Sequence, residues 1–69
     1  MTTKERVKKF NEKYPVGTKV LFQCKGTEFV DVISKKAIAI ESMYLNAGLI
    51  EFKNRTGRYD MDDVKKEVV

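Results

Sequence analysis

The chain has 69 residues, 14 of them Lys or Arg against 10 Asp or Glu, a formal charge of +4, one cysteine and no histidine. That length fits one domain with a small core that is marginal on its own. Lone Cys24 rules out an internal disulfide, and the missing histidine rules out Ser-His and Cys-His nucleophile pairs and leaves no ligand set for structural zinc.

Thr2 and Glu5 have the spacing of a capping box. Val7, Phe10 and Tyr14 then fall at i, i+3 and i+7, on one face of a helix. Lys4, Lys8 and Glu12 line a solvated side, and Glu5 precedes Lys9 by four, the favourable order for an ion pair. Pro15 disfavours helical geometry at Tyr14, so the spacing predicts a helix ending near Lys13 and docking its apolar face on a sheet. The charged segment is followed by no apolar signal core, and no stretch approaches a membrane span. The expectation is a soluble, cytoplasmic protein with no membrane association.

Pro15-Val16-Gly17 is a turn into a first strand over 18–24, with Val20, Phe22 and Cys24 on one face and Lys19, Leu21 and Gln23 on the other. Cys24 reads as a small hydrophobe, and the alternative of a reactive thiol lacks a histidine to activate it. Lys25-Gly26 is a turn, and 28–34 reads as a second strand with Val30 and Val32 inward and Asp31 toward solvent. Residues 34–48 are ambiguous. Ala37, Ile40, Tyr44 and Ala47 have helical spacing behind Ser34, while Ile38, Ile40, Ser42 and Tyr44 share one face of a strand. Propensity alone favours the helix.

Residues 49–54 and 58–61 read as a hairpin around Asn54-Arg55-Thr56-Gly57, and Asp62-Asp63 can cap one helical turn ending near Val64. The last residues, 65–69, read as a tail. The expected core is Val20, Phe22, Val30, Val32, Ile50 and Phe52. Asn54-Arg55-Thr56 matches a glycosylation sequon but reads as turn chemistry in a chain without a secretory signal.

No catalytic signature is present. The glycines at 17, 26, 48 and 57 form neither a P-loop nor a dinucleotide fingerprint. Ser34 and Lys35 point to opposite faces if both lie in a strand. Glu41 and Glu51 read as solvent-facing charges. Asp60, Asp62 and Asp63 lack the rest of a calcium loop and are expected to cap a turn and pair with Arg55 or Arg58. No cofactor and no metal are expected, and the chain reads as a non-enzyme.

Pro15 through Val20 entering a strand, Ser34 with Ala37, Gly48-Leu49-Ile50-Glu51-Phe52, and Gly57 through Asp62-Asp63-Val64 resemble small SH3-like barrel proteins carried by phages and plasmids. The resemblance implies a mainly β fold: a five-stranded, strongly bent antiparallel barrel preceded by a short N-terminal α-helix, closed by a helical turn near Asp62. It makes 37–45 the middle strand, and on that ground strand is taken over helix. The single domain, 1–69, then divides into a helix over 1–14, a barrel over 16–64 and the tail over 65–69. One enzyme of this class, the plasmid-borne trimethoprim-resistant dihydrofolate reductase, carries a Val-Gln-Ile-Tyr strand motif. The matching stretch here is Tyr59-Asp60-Met61-Asp62. Acids replace its Gln and Tyr, so that activity is not carried over.

The expected function is therefore a non-catalytic binding module, a phage or mobile-element accessory protein whose partner is a host or viral protein. The expected contact surface is Lys53, Arg55, Arg58 and Tyr59, because Arg and Tyr combine large area with hydrogen bonding. The alternative is a nucleic-acid-binding module using Lys35, Lys36, Lys53, Arg55 and Arg58, with Tyr44, Phe52 and Tyr59 available for stacking. The interleaved acids Glu28, Asp31, Glu41, Glu51 and Asp60 weigh against it. Assembly into a homo-oligomer would stabilise so small a chain.

Overall fold

The computed structural model describes residues 2–69; Met1, part of the expected helical segment 1–14, lies outside the described residues. Helix α1, Thr3–Lys13, begins at the expected capping box. The Glu5 amide donates to Thr2 Oγ1 at 3.2 Å, and the Thr2 amide donates to Glu5 Oε1 at 3.4 Å. The helix stops as the Tyr14 amide bonds back to the Phe10 carbonyl at 2.8 Å, one residue before Pro15. Among the described residues no helix is long and apolar enough to cross a membrane.

Five antiparallel strands follow: β1 Lys19–Cys24, β2 Thr27–Glu41, β3 Asn46–Phe52, β4 Tyr59–Asp60 and β5 Val64–Glu67. A 3-10 turn, Met61–Asp63, separates the last two. The sheet order is β4-β3-β2-β1-β5, and β4 and β5 are its two edges. The strand count matches the sequence expectation, but the strands differ. The segment read as 28–34 and the first part of that read as 37–45, up to Glu41, are one 15-residue strand, and 42–45 lie outside it. The fifth strand comes instead from the segment read as a tail: β5 pairs with β1, and the Val68 amide extends the pairing to the Lys19 carbonyl at 2.8 Å.

Strand β2 serves two neighbours in succession. Its first half pairs with β1 from Cys24↔Thr27 to Lys19↔Val32, and its second half pairs with β3 from Ile33↔Phe52 to Glu41↔Asn46. Two register shifts, between Ile33 and Lys35 and between Lys35 and Ile38, mark the change. Such bulges bend a strand and leave backbone groups without ladder partners. Helix α1 supplies the missing partner. The Asn11 side chain accepts from the Ala37 amide at 2.8 Å and donates to the Ala37 carbonyl at 3.1 Å.

The inward face of β2 is offset by one residue from the expected one. Phe29, Asp31 and Ile33 are buried, whereas Val30 is 44% exposed and Val32 is half-buried. The cause is the turn. Lys25 (φ 27°) and Gly26 (φ 79°) form a two-residue hairpin loop with both residues at positive φ, which sets Phe22 opposite Phe29. Directly opposed residues share a face, so an inward Phe22 brings Phe29 inward, and period two then takes Asp31 and Ile33 in as well. Val20, Phe22, Ile50 and Phe52 are buried as expected.

The core holds one aromatic ring from each of β1 to β4. Phe22, Phe29, Phe52 and Tyr59 each contact the other three, with centroids 4.8–5.9 Å apart. Most of the pairs are edge-on or tilted, and Phe22 and Phe29 are stacked, arrangements worth about 0.5–1.5 kcal/mol per pair beyond area burial. At the far end of β3, Gly48 lies under Met61, where a Cβ would sit 2.7 Å from Met61 Cε. We expect Asn11→Ala, which strands both Ala37 backbone groups, to cost about 1–3 kcal/mol in urea unfolding without changing the far-UV spectrum of the folded state.

Candidate binding surfaces

The turn after β3 is tied down from beneath. Asp31, whose side chain is only 2% exposed, accepts from its neighbour's amide (Val32) at 2.7 Å, from Asn54 Nδ2 at 2.9 Å and from the Asn54 amide at 3.3 Å. Arg55 Nε lies 3.8 Å from the same carboxylate. The Arg55 guanidinium carbon also sits 3.6 Å from the centroid of the Phe29 ring. Burying a carboxylate is costly unless charge and hydrogen bonds compensate it, and here the turn provides both. The expectation that Asp31 faces solvent is thereby corrected.

This arrangement redistributes the expected contact residues. Arg55 is a lid on the aromatic core. Tyr59 is half-buried among the rings, and its hydroxyl donates to the Thr56 carbonyl at 3.4 Å. Lys53 and Arg58 are exposed at the same turn. Lys35 pairs with Glu51 at 3.9 Å, and its neighbour Lys36 lines a groove beside α1 with Lys4 and Lys8. The five cations expected to form one nucleic-acid face are thus divided between the turn, a cross-strand pair and the helix groove.

The three aspartates near the C-terminus each have a separate structural role. Asp60 Oδ1 accepts from the Asp62 amide at 2.8 Å and caps the 3-10 turn. Asp62 forms an ion pair with Arg6 of α1, not with Arg55 or Arg58. That pairing raises the Arg6 pKa above its ordinary value, by the hydrogen bond first and the charge of Asp62 second. Asp63 accepts from the Cys24 thiol. Among the described residues no group of three or more His, Cys, Asp or Glu side chains converges as a metal site. The hydrogen bond to Asp63, then burial, then the Asp63 charge push the Cys24 thiol above its ordinary pKa, the opposite of an activated nucleophile.

An apolar tip lies where the sequence suggested a continuing strand. Strand β2 ends at Glu41, and residues 42–45 turn back into β3. Met43 is 87% exposed and Tyr44 92%. Beneath them Ser42 Oγ accepts from the amides of Tyr44 at 3.3 Å and Leu45 at 3.0 Å and donates to the Leu45 carbonyl at 3.2 Å, while the Ser42 amide donates to that carbonyl at 2.8 Å. The signal was present in the sequence as Ser42 and Asn46 bracketing three apolar residues, but it was absorbed into the strand alternation. Compared with known proteins, the chain matches no family model, no curated protein and no solved structure.

Arg55→Ala removes the lid over Phe29 and the countercharge of Asp31, so we expect it to destabilise the fold by about 1–2 kcal/mol, whereas Arg58→Ala stays within about 0.5 kcal/mol of wild type in the same thermal melts. Cys24 is expected to react with iodoacetamide more slowly than a free thiol at any pH where both are partly ionised. Asp63→Asn lowers the thiol pKa, so that variant reaches its half-maximal alkylation rate at lower pH.

Proposed function

We propose that the chain is a non-catalytic binding module whose partner is another protein, gripped through the hairpin tip at Met43, Tyr44 and Leu45. The observation that carries this reading is the near-complete exposure of two large side chains on a turn braced by four hydrogen bonds. A Tyr and a Met held out of the core offer area, a hydroxyl and a polarisable sulfur, and a braced turn loses little conformational entropy when it docks. Lys53 and Arg58 remain available as rim charges, while Arg55 and Tyr59 support the fold beneath.

A closed SH3-like barrel and a phage or mobile-element setting belong to this proposal through the resemblance of Pro15 to Val20 and Gly48 to Phe52. The order β4-β3-β2-β1-β5, with one long strand shared between two halves, is compatible with such a barrel. The non-catalytic reading is supported by a thiol held protonated and by aspartates occupied in caps and pairs.

The test is affinity capture from the native cell after nuclease treatment, with wild type and Tyr44→Ala side by side. We expect one protein partner to survive nuclease and to bind Tyr44→Ala roughly 30-fold or more weakly, the equivalent of a 2 kcal/mol hot spot. The melting temperature should be unchanged, because the side chain touches almost nothing in the free protein. Capture that is lost with nuclease, or that is indifferent to Tyr44, removes the tip as the contact surface.

A further inference from the structure

Most of the net charge of this protein sits on one face. Helix α1 carries Lys4, Arg6, Lys8, Lys9 and Lys13 against Glu5 and Glu12. Two grooves run along its flanks, and their far walls add Lys36 on one side and Lys65, with Asp62, on the other. Glu41 adds a fourth carboxylate at the helix start, where it accepts from the Lys4 amide at 3.3 Å, so that face holds seven cations and four carboxylates and carries +3 of the chain's +4.

The cations are sorted by flank. Lys4 and Lys8 line one groove with Lys36; Lys9 and Lys13 line the other with Lys65. Val7, Asn11 and Tyr14 face the sheet, Glu12 lines the Lys4–Lys8–Lys36 groove, and the Glu5 carboxylate holds the Thr2 cap at the helix start. Residues four apart on a helix are about 6 Å apart along its axis, and a helix with its side chains is about 10–12 Å across. The major groove of B-DNA is about 12 Å wide and walled on both sides by phosphates. A helix with cations on both flanks matches that section: each phosphate rim enters one cleft beside α1, where the lysines outnumber the one carboxylate present, Glu12 in one cleft and Asp62 in the other. Duplex RNA has a major groove too deep and narrow for side chains to read.

We infer that the α1 face is a duplex-DNA binding surface, with Lys4, Lys8 and Lys36 on one phosphate rim and Lys13 and Lys65 on the other. It begins beside Glu41, two residues before the Met43–Leu45 tip, and it replaces the 53–58 turn as the basic surface of the protein.

The test is fluorescence anisotropy with a labelled DNA duplex of ~20 bp over about 50–200 mM salt. Five lysine–phosphate contacts give a log–log salt slope of about −4.5, and each of Lys8→Gln, Lys13→Gln and Lys65→Gln should flatten it by about 0.9. Lys53→Gln and Arg58→Gln should leave it unchanged. All five side chains are exposed, so circular dichroism melts are expected to show intact folds. Undetectable binding at the lowest salt overturns the inference. So does equal flattening by Lys53→Gln or Arg58→Gln. Duplex RNA or polyglutamate binding as tightly as the DNA overturns it in favour of a general polyanion or acidic-protein surface.

Discussion

Everything in this fold leans on the contact of four aromatic rings, one from each of four successive strands, and on the buried carboxylate that holds their cover in place. Phe22, Phe29, Phe52 and Tyr59 cannot meet unless β1 to β4 wrap around a common centre. Because Asp31 follows Phe29 inward by period two, the ring cluster imposes a buried charge on the strand. Asn54 and Arg55 answer that charge, and in doing so they set the guanidinium over Phe29. The turn that looked like a contact surface is therefore part of the core's own closure, and its residues are constrained by stability before any partner is considered.

A second constraint operates where β2 changes neighbours. A strand that pairs first with β1 and then with β3 must bend, and the bend leaves backbone groups open at Ala37. Asn11 fills them with a side-chain amide that mimics a strand's own backbone. One polar residue on the apolar face of α1 thereby joins the helix to the corner of the sheet. The Arg6–Asp62 pair fixes the same helix to the 3-10 turn. Docked by these contacts, α1 stands proud of the sheet with a cleft on either flank, and its lysines are gathered with Lys36 and Lys65 from distant parts of the chain.

The two exposed surfaces differ in the physics they offer. The hairpin tip offers short-ranged apolar contact, insensitive to salt and dependent on shape. The α1 face offers a field of fixed charge, strongest at low ionic strength. A chain of this size can carry both because its core is built largely from the four-ring cluster and the small set of aliphatic residues packed around it, which leaves most of the remaining surface free of structural duty.

Local rules were legible in the sequence. The capping box at Thr2 and Glu5, the helix end before Pro15, the alternation of Val20, Phe22 and Cys24, the turns at Lys25-Gly26 and around Gly57, and the acidic cap of the 3-10 turn each depend on neighbours within a few residues. What the tertiary structure alone decided depends on partners far along the chain. The inward set of β2 was settled by Phe22 across the hairpin, against the preference of its valines for burial. The tail became β5 because β1 had an unpaired edge to offer, and the two middle segments fused because bulges let one strand serve two neighbours. Charge followed the same logic. The sequence puts five of its 14 cations in α1, and only the docking of α1 beside β2 and β5 brings Lys36 and Lys65 to them, since an electrostatic surface is a property of distances through space and not of order along the chain.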